Sequence, residues 1–129
     1  FRLVSQQKPE KVLKAFQKFV KDLLPKDCKV TFSGTGGGAP ASEISEDNAF
    51  IRKSAAALKA EFNRAPVLMG SGGSIPIVRN FKDILGMDSV LVGFGLNDDA
   101  IHSPNEKYNL SSFHKGVRSW VRIIGALAE

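Results

Sequence analysis

Residues 33–47 contain no large apolar side chain apart from Ile44. The run Gly34-Thr35-Gly36-Gly37-Gly38-Ala39-Pro40 is followed by a polar, acidic stretch from Ser42 to Asp47. Such a segment has little to bury, so a core must be built from residues on either side of it. With 129 residues, 43% of them hydrophobic, the chain is long enough for one compact domain or for two small lobes sharing a boundary. The glycine-rich segment reads as a hinge over residues 36–47, separating residues 1–35 from residues 48–129.

On the first side, Phe1-Arg2-Leu3-Val4 looks like a strand, and Pro9 suits an early helix position. Val12, Leu13, Phe16, Phe19, Val20 and Leu23 recur at helical spacing before Pro25 ends the run. Residues 29–32 alternate polar and apolar side chains, which reads as a second strand. A β-α-β unit follows, half of a small α+β sandwich. On the second side, Asp47 is placed to cap a helix carrying Phe50, Ile51, Ala55, Leu58 and Phe62. Residues 66–69 read as a short buried strand, and a helix from Pro76 to Leu85 is stopped by Gly86. Residues 89–94 read as another strand. Asn109 precedes a last helix with Leu110, Phe113, Val117, Trp120, Val121, Ile124 and Leu127 on one face. Strands alternating with helices predict an α/β layer with a mostly parallel sheet.

The net charge of +5 raises the question of nucleic acid. Lys8, Lys11, Lys14, Lys18 and Lys21, however, line the face of the first helix opposite its apolar stripe, without interleaved aromatic residues to stack on bases. No nucleic-acid partner is expected. No apolar run approaches the length of a membrane span, so no membrane partner is expected either. A single cysteine, Cys28, excludes an internal disulfide framework and suits a cytoplasmic location. The chain starts at Phe1 without a signal peptide, and the simplest expectation is a piece of a longer protein.

Three segments carry chemistry. Gly34, Gly36 and Ala39 fit a dinucleotide fingerprint in spacing, but no helix opens on the third position and no acidic ribose ligand follows. Gly70-Ser71-Gly72-Gly73-Ser74 is better placed, at the start of a helix whose amides could receive a carboxylate or phosphate. No Lys-Ser or Lys-Thr follows these glycines, which excludes a nucleotide P-loop. The third segment, Asn97-Asp98-Asp99-Ala100-Ile101-His102-Ser103-Pro104-Asn105-Glu106-Lys107, places a histidine among turn-forming acceptors after an apolar strand. Zinc catalysis needs three protein ligands. The only other histidine, His114, lies beside Phe113 on the last helix and reads as a surface residue, so this chain does not complete a zinc site by itself.

Taken in order, Phe1-Arg2-Leu3-Val4, Gly37-Gly38-Ala39-Pro40, Gly72-Gly73-Ser74-Ile75-Pro76 and Asp98-Asp99-Ala100-Ile101-His102-Ser103-Pro104-Asn105-Glu106 resemble the C-terminal part of the dinuclear zinc peptidases and amidohydrolases. That family includes aminoacylase, carnosine dipeptidase, glutamate carboxypeptidase and succinyl-diaminopimelate desuccinylase, and the likeness is to its dipeptidase branch. The resemblance implies an α/β fold: residues 1–35 form the second half of a ferredoxin-like lid and dimerisation domain, residues 36–47 the hinge, and residues 48–129 the C-terminal portion of a zinc-exopeptidase catalytic domain. It implies His102 as a ligand of the second of two zinc ions. Arg2, aided by Gly73 and Ser74, would hold the carboxylate of a dipeptide or acyl-amino-acid substrate. The remaining metal ligands and the general-base glutamate would lie in a missing N-terminal part of the same protein. The expectation is then a homodimer through the lid, with no catalytic residue and no hydrolysis in these 129 residues alone. The alternative is a non-catalytic α/β module that binds a small anion at Gly70 to Ser74.

Overall fold

The computed structural model describes residues 1–4, 6–34, 37–71 and 75–128. Among the described residues the regular structure is four helices: α1 Pro9–Asp22, α2 Ala49–Phe62, α3 Pro76–Leu85 and α4 Leu110–Ala128. Among the described residues there is no strand and no sheet, which overturns the expected α/β fold with its β-α-β lid. The physical reason is pairing, because a strand exists only through ladder hydrogen bonds to a neighbour. Residues 29–32, 66–69 and 89–94 have the right side chains but no such neighbour. The expected buried strand at 66–69 is instead exposed, with Val67 82% and Met69 81% accessible.

Contacts divide the chain into two compact units, Phe1–Glu43 with Gly70–Ser89 and Ile44–Met69 with Val90–Glu129. In the first unit, Pro9 opens α1 and Glu10 sits in its first turn, where the helix dipole favours a negative charge. The helix stops short of Pro25, as the Leu23 N–H reaches the Phe19 carbonyl and the Leu24 N–H the Lys21 carbonyl. Phe16 meets Phe1 and Phe32 edge to face, at centroid distances of 5.3 and 6.3 Å. The glycine run is structurally specific here. Gly37 has φ +86°, and a Cβ on Gly38 would stand 2.7 Å from Cβ of Pro9, so the chain passes directly over the start of α1. Beyond Pro40, α3 ties the segment down. Arg79 Nη1 donates to the Ala41 carbonyl at 3.0 Å and Lys82 Nζ to the Glu43 carbonyl at 2.8 Å. Gly86, at φ +65°, closes α3 as a left-handed cap with its N–H on Lys82 O, and the Met87 N–H reaches Phe81 O.

In the second unit α2 packs on α4. The cap of α2 is Asn48, not Asp47: the Asn48 side chain accepts the Phe50 N–H at 2.9 Å, whereas Asp47 turns its own N–H to Ser45 Oγ. The buried faces are built from small residues, Ser54 and Ala57 on α2 with Gly116 and Ser119 on α4, plus Ile51 and Ile123. Small side chains let the two backbones approach closely. The large apolar residues of α4, Phe113, Val117, Val121 and Ile124 among them, stay exposed. Phe94 covers the α2–α4 seam, stacked on Phe62 at 6.3 Å and lying against Gly116. Across the seam, Glu61 of α2 accepts hydrogen bonds from Arg118 Nε at 2.6 Å and Arg122 Nε at 3.1 Å.

Candidate functional site

The histidine loop belongs to the second unit and occupies residues 95–107 between Phe94 and α4. Its apolar content is low, so its shape must come from hydrogen bonds. These converge on Asp99, which is 1% exposed while its neighbours in the loop are open to solvent. Asp99 Oδ2 accepts the Leu96 N–H at 2.7 Å, and Asp99 returns its own N–H to the Leu96 carbonyl. Lys107 completes the closure by donating its backbone N–H to the Asp99 carbonyl at 2.9 Å and its Nζ to Asp99 Oδ1 at 3.2 Å. The same ammonium lies 2.8 Å from Asp98 Oδ2. The hydrogen bond to Lys107, with its positive charge, holds the Asp98 carboxyl below its ordinary value, and Asp98 in turn raises Lys107 above the usual lysine range.

Between these anchors the backbone reverses through Ala100, His102 and Asn105, with φ of 55°, 64° and 62°. Asparagine tolerates this left-handed region, but alanine and histidine are each disfavoured there by roughly 1–2 kcal/mol. Strain of this kind persists only where the surroundings enforce it, and it concentrates at functional positions. Turn bonds add to the enforcement. Ser103 directs both its N–H and its hydroxyl to the Ala100 carbonyl, and the Glu106 N–H reaches Ser103 O. Glu106 Oε2 accepts the His102 N–H at 3.3 Å. The His102 side chain is left exposed.

A zinc centre needs several donors around one point. Among the described residues no three histidine, cysteine, aspartate or glutamate side chains gather in this way. Asp98 and Asp99, the carboxylates preceding His102, are both engaged by Lys107. The donor set therefore does not fit a complete metal centre. What this chain can offer is one exposed imidazole, neutral imidazole being a good zinc ligand.

The other sequence-derived site residues are distributed differently. Arg2 is exposed in the first unit, while His102 belongs to the second. Gly73 and Ser74 lie outside the described residues, as does most of the glycine run of the alternative anion site. The Asp99–Lys107 closure was not legible as a unit. The available signal was an acid and a lysine eight positions apart, bracketing a turn-rich segment. The Glu61 clasp had a weaker signal, two arginines at i and i+4 facing an acid 57 residues earlier.

A profile of peptidase family M20/M25/M40 matches residues 3–126. The chain is similar to the Cys-Gly metallodipeptidase DUG1 of Candida albicans, 40% identical over 58 residues, which is 45% of this chain and 12% of that protein. It is 36% identical over 82 residues to the Saccharomyces cerevisiae Cys-Gly metallodipeptidase DUG1, covering 64% of this chain and 17% of the relative. Against the human Beta-Ala-His dipeptidase it is 27% identical over 131 residues, covering 99% of this chain and 26% of that protein. The chain thus spans about a quarter or less of the length of these relatives. No solved structure matches it. No helix among the described residues is long and apolar enough to cross a membrane.

Proposed function

The chain belongs to peptidase family M20/M25/M40, and from that membership we propose that it is the ligand- and substrate-binding portion of a metal-dependent dipeptidase, acting on dipeptides or N-acyl amino acids. The observation that carries this reading is the histidine loop. A buried aspartate and a lysine hold three left-handed residues in place, and the outcome is an exposed imidazole at a defined point. A loop that only connected two elements would have no use for that strain.

In this reading His102 supplies one ligand to a zinc centre of two ions, and the other donors and the general base come from elsewhere in a longer protein. Zinc bound at such a complete site would supply Lewis-acid activation of water and of the scissile carbonyl. Arg2, with Ser74 and the backbone at Gly73, receives the terminal carboxylate of the substrate, since a guanidinium and helix-start amides both suit that group. Residues 1–35 serve as part of a lid that makes a homodimer, residues 36–47 as its hinge, and the protein works in the cytoplasm. These 129 residues by themselves hydrolyse nothing.

The test compares the isolated chain with the full-length protein that carries it, on a panel of dipeptides and N-acyl amino acids with zinc supplied. The full-length protein should hydrolyse dipeptides and bind zinc, and His102→Ala should remove most activity together with one metal equivalent. Zinc binding unchanged by His102→Ala would overturn the assignment. Dipeptide hydrolysis by the isolated chain would overturn its expected silence.

A further inference from the structure

Beside the face that packs on α2, helix α4 carries Leu110, Phe113, Val117, Trp120, Ile124 and Leu127, spaced three, four, three, four and three residues apart. That is the seam spacing of a helix that packs lengthwise along another helix. All six residues are between 36% and 74% exposed. Side chains open to this extent add up to several hundred Å² of contiguous apolar surface, more than a monomer ordinarily leaves in water. The contact with α2 does not need them, because Gly116, Ser119 and Ile123 already serve it.

We propose that this seam is the docking surface for a second copy of the chain, with the two α4 helices antiparallel across a twofold axis. The spacing is the same from either end, which a self-complementary contact requires. An antiparallel copy centred between Arg118 and Ser119 sets Leu110 against its Leu127, Phe113 against its Ile124 and Val117 against its Trp120. A large side chain then meets a smaller one at both inner levels, the condition for dense packing. A parallel copy would set Trp120 on Trp120 and Val117 on Val117, crowding one level and leaving a gap at the other. Charge favours the same partner. Lys115, Arg118 and Arg122 would repel their equals in a second copy if they flanked the seam. They are drawn away instead: Arg118 and Arg122 to Glu61, and Lys115 Nζ to a point 4.9 Å over the Phe62 ring. His114 and Val121 flank the seam on one side, Gly116 and Ile123 on the other, and none of these carries a fixed charge. A charged partner finds no counter-charge here, whereas an identical seam meets no like charge. One helix pair stays near the small end of specific interfaces, roughly 600 Å² per partner, so the association is weak and the dilute chain is monomeric. This contact involves neither His102 nor residues 1–35.

Sedimentation equilibrium of the 129-residue chain should show the mean mass rising from 14.0 kDa toward twice that value as the concentration goes from about 10 µM to 1 mM. Val117→Glu should weaken the association roughly tenfold or more, since it would bury an unpaired charge in the contact. Its helical circular dichroism should not change, because Val117 is exposed in the single chain. Should Val117→Glu lose helix content, Ile124→Lys repeats the measurement at another level of the seam. Orientation is read by oxidation in a Cys28→Ser background. Leu110→Cys mixed with Leu127→Cys should cross-link, whereas Leu110→Cys alone should not, its two thiols lying ~25 Å apart along an antiparallel pair. Cross-linking of Leu110→Cys alone would make the pair parallel and overturn the arrangement. A mass fixed at 14.0 kDa throughout, or association untouched by Val117→Glu, would overturn the surface itself. In the full-length protein, Val117→Glu should leave Tm within about 2 °C of wild type. A larger drop would mean that another part of that protein covers the seam, and the second copy would be excluded.

Discussion

Gly116 of α4 lies so close to Phe94 that a Cβ on the glycine would stand 3.2 Å from Cδ2 of the ring. Two effects of opposite sign meet at this position. Alanine in place of a mid-helix glycine stabilises by about 0.8–1 kcal/mol through lower backbone entropy. The methyl group requires the ring to give by a few tenths of an ångström, and Phe94 is only half-buried, so it can move. Gly116→Ala is therefore expected to stay within about 0.5 kcal/mol of wild type. Gly116→Val adds a whole isopropyl group that the seam cannot absorb and should cost about 1–3 kcal/mol. Urea unfolding of both variants checks the pair, and a well-tolerated valine would mean that Phe94 does not cover the helix in solution.

Adjacent isoleucines near the end of α4 should behave very differently. Ile123 is 2% exposed and packed in the second unit, whereas Ile124 is 65% exposed. Truncating a buried isoleucine to alanine costs about 2–5 kcal/mol, while an exposed one contributes within about 0.5 kcal/mol either way. Thermal unfolding should thus show a large drop in Tm for Ile123→Ala and almost none for Ile124→Ala. Equal losses would show that the large apolar stripe of α4 is covered as well.

The stripe also shows what the sequence could and could not reveal. Helical spacing locates all four helices, because the 3.6-residue period is a local property, and Gly86 marks the end of α3 by its left-handed backbone alone. Which side of a helix is buried depends on its partner. Val117 and Ile124 form the obvious apolar face of α4, yet the side against α2 carries Gly116, Ser119 and Ile123, chosen for close approach rather than for apolar bulk. Strands fail for a related reason. Val90, Val92 and Phe94 alternate in burial as one face of a strand should, but pairing is non-local and no ladder forms among the described residues. In the histidine loop His102 stands out in the sequence, but its left-handed backbone and the Asp99–Lys107 closure depend on where the chain returns.

Helix capping separates two neighbours that look equivalent in sequence. Asn48 accepts the Phe50 N–H with its side chain, and Asp47 faces solvent one position earlier. Asn48→Ala should destabilise α2 by about 1 kcal/mol, and Asp47→Ala by much less, since its ion pair with Arg52 is long and exposed. Denaturant titration followed by far-UV circular dichroism would show the difference. The reverse order would place the cap on Asp47.

Acid should loosen the α2–α4 seam through Glu61. Its carboxylate is 5% exposed and held by Arg118 and Arg122, and the hydrogen bond from Arg118 is the main reason its pKa lies below the ordinary value of 4.5. A carboxyl whose folded pKa is depressed stabilises fully above its unfolded value, so the whole contribution is present at neutral pH. It is lost as the pH falls from about 5 through the lowered folded value, where the native state takes up the proton and the two arginines lose their acceptor. Both arginines are half exposed, so salt screens part of the attraction. Glu61→Gln should therefore lower stability at pH 7, by less in high salt, and converge toward wild type as the pH drops below 4. Urea midpoints measured from pH 7 to 3 would test this, and two parallel profiles would show that Glu61 titrates alike in the folded and unfolded chains.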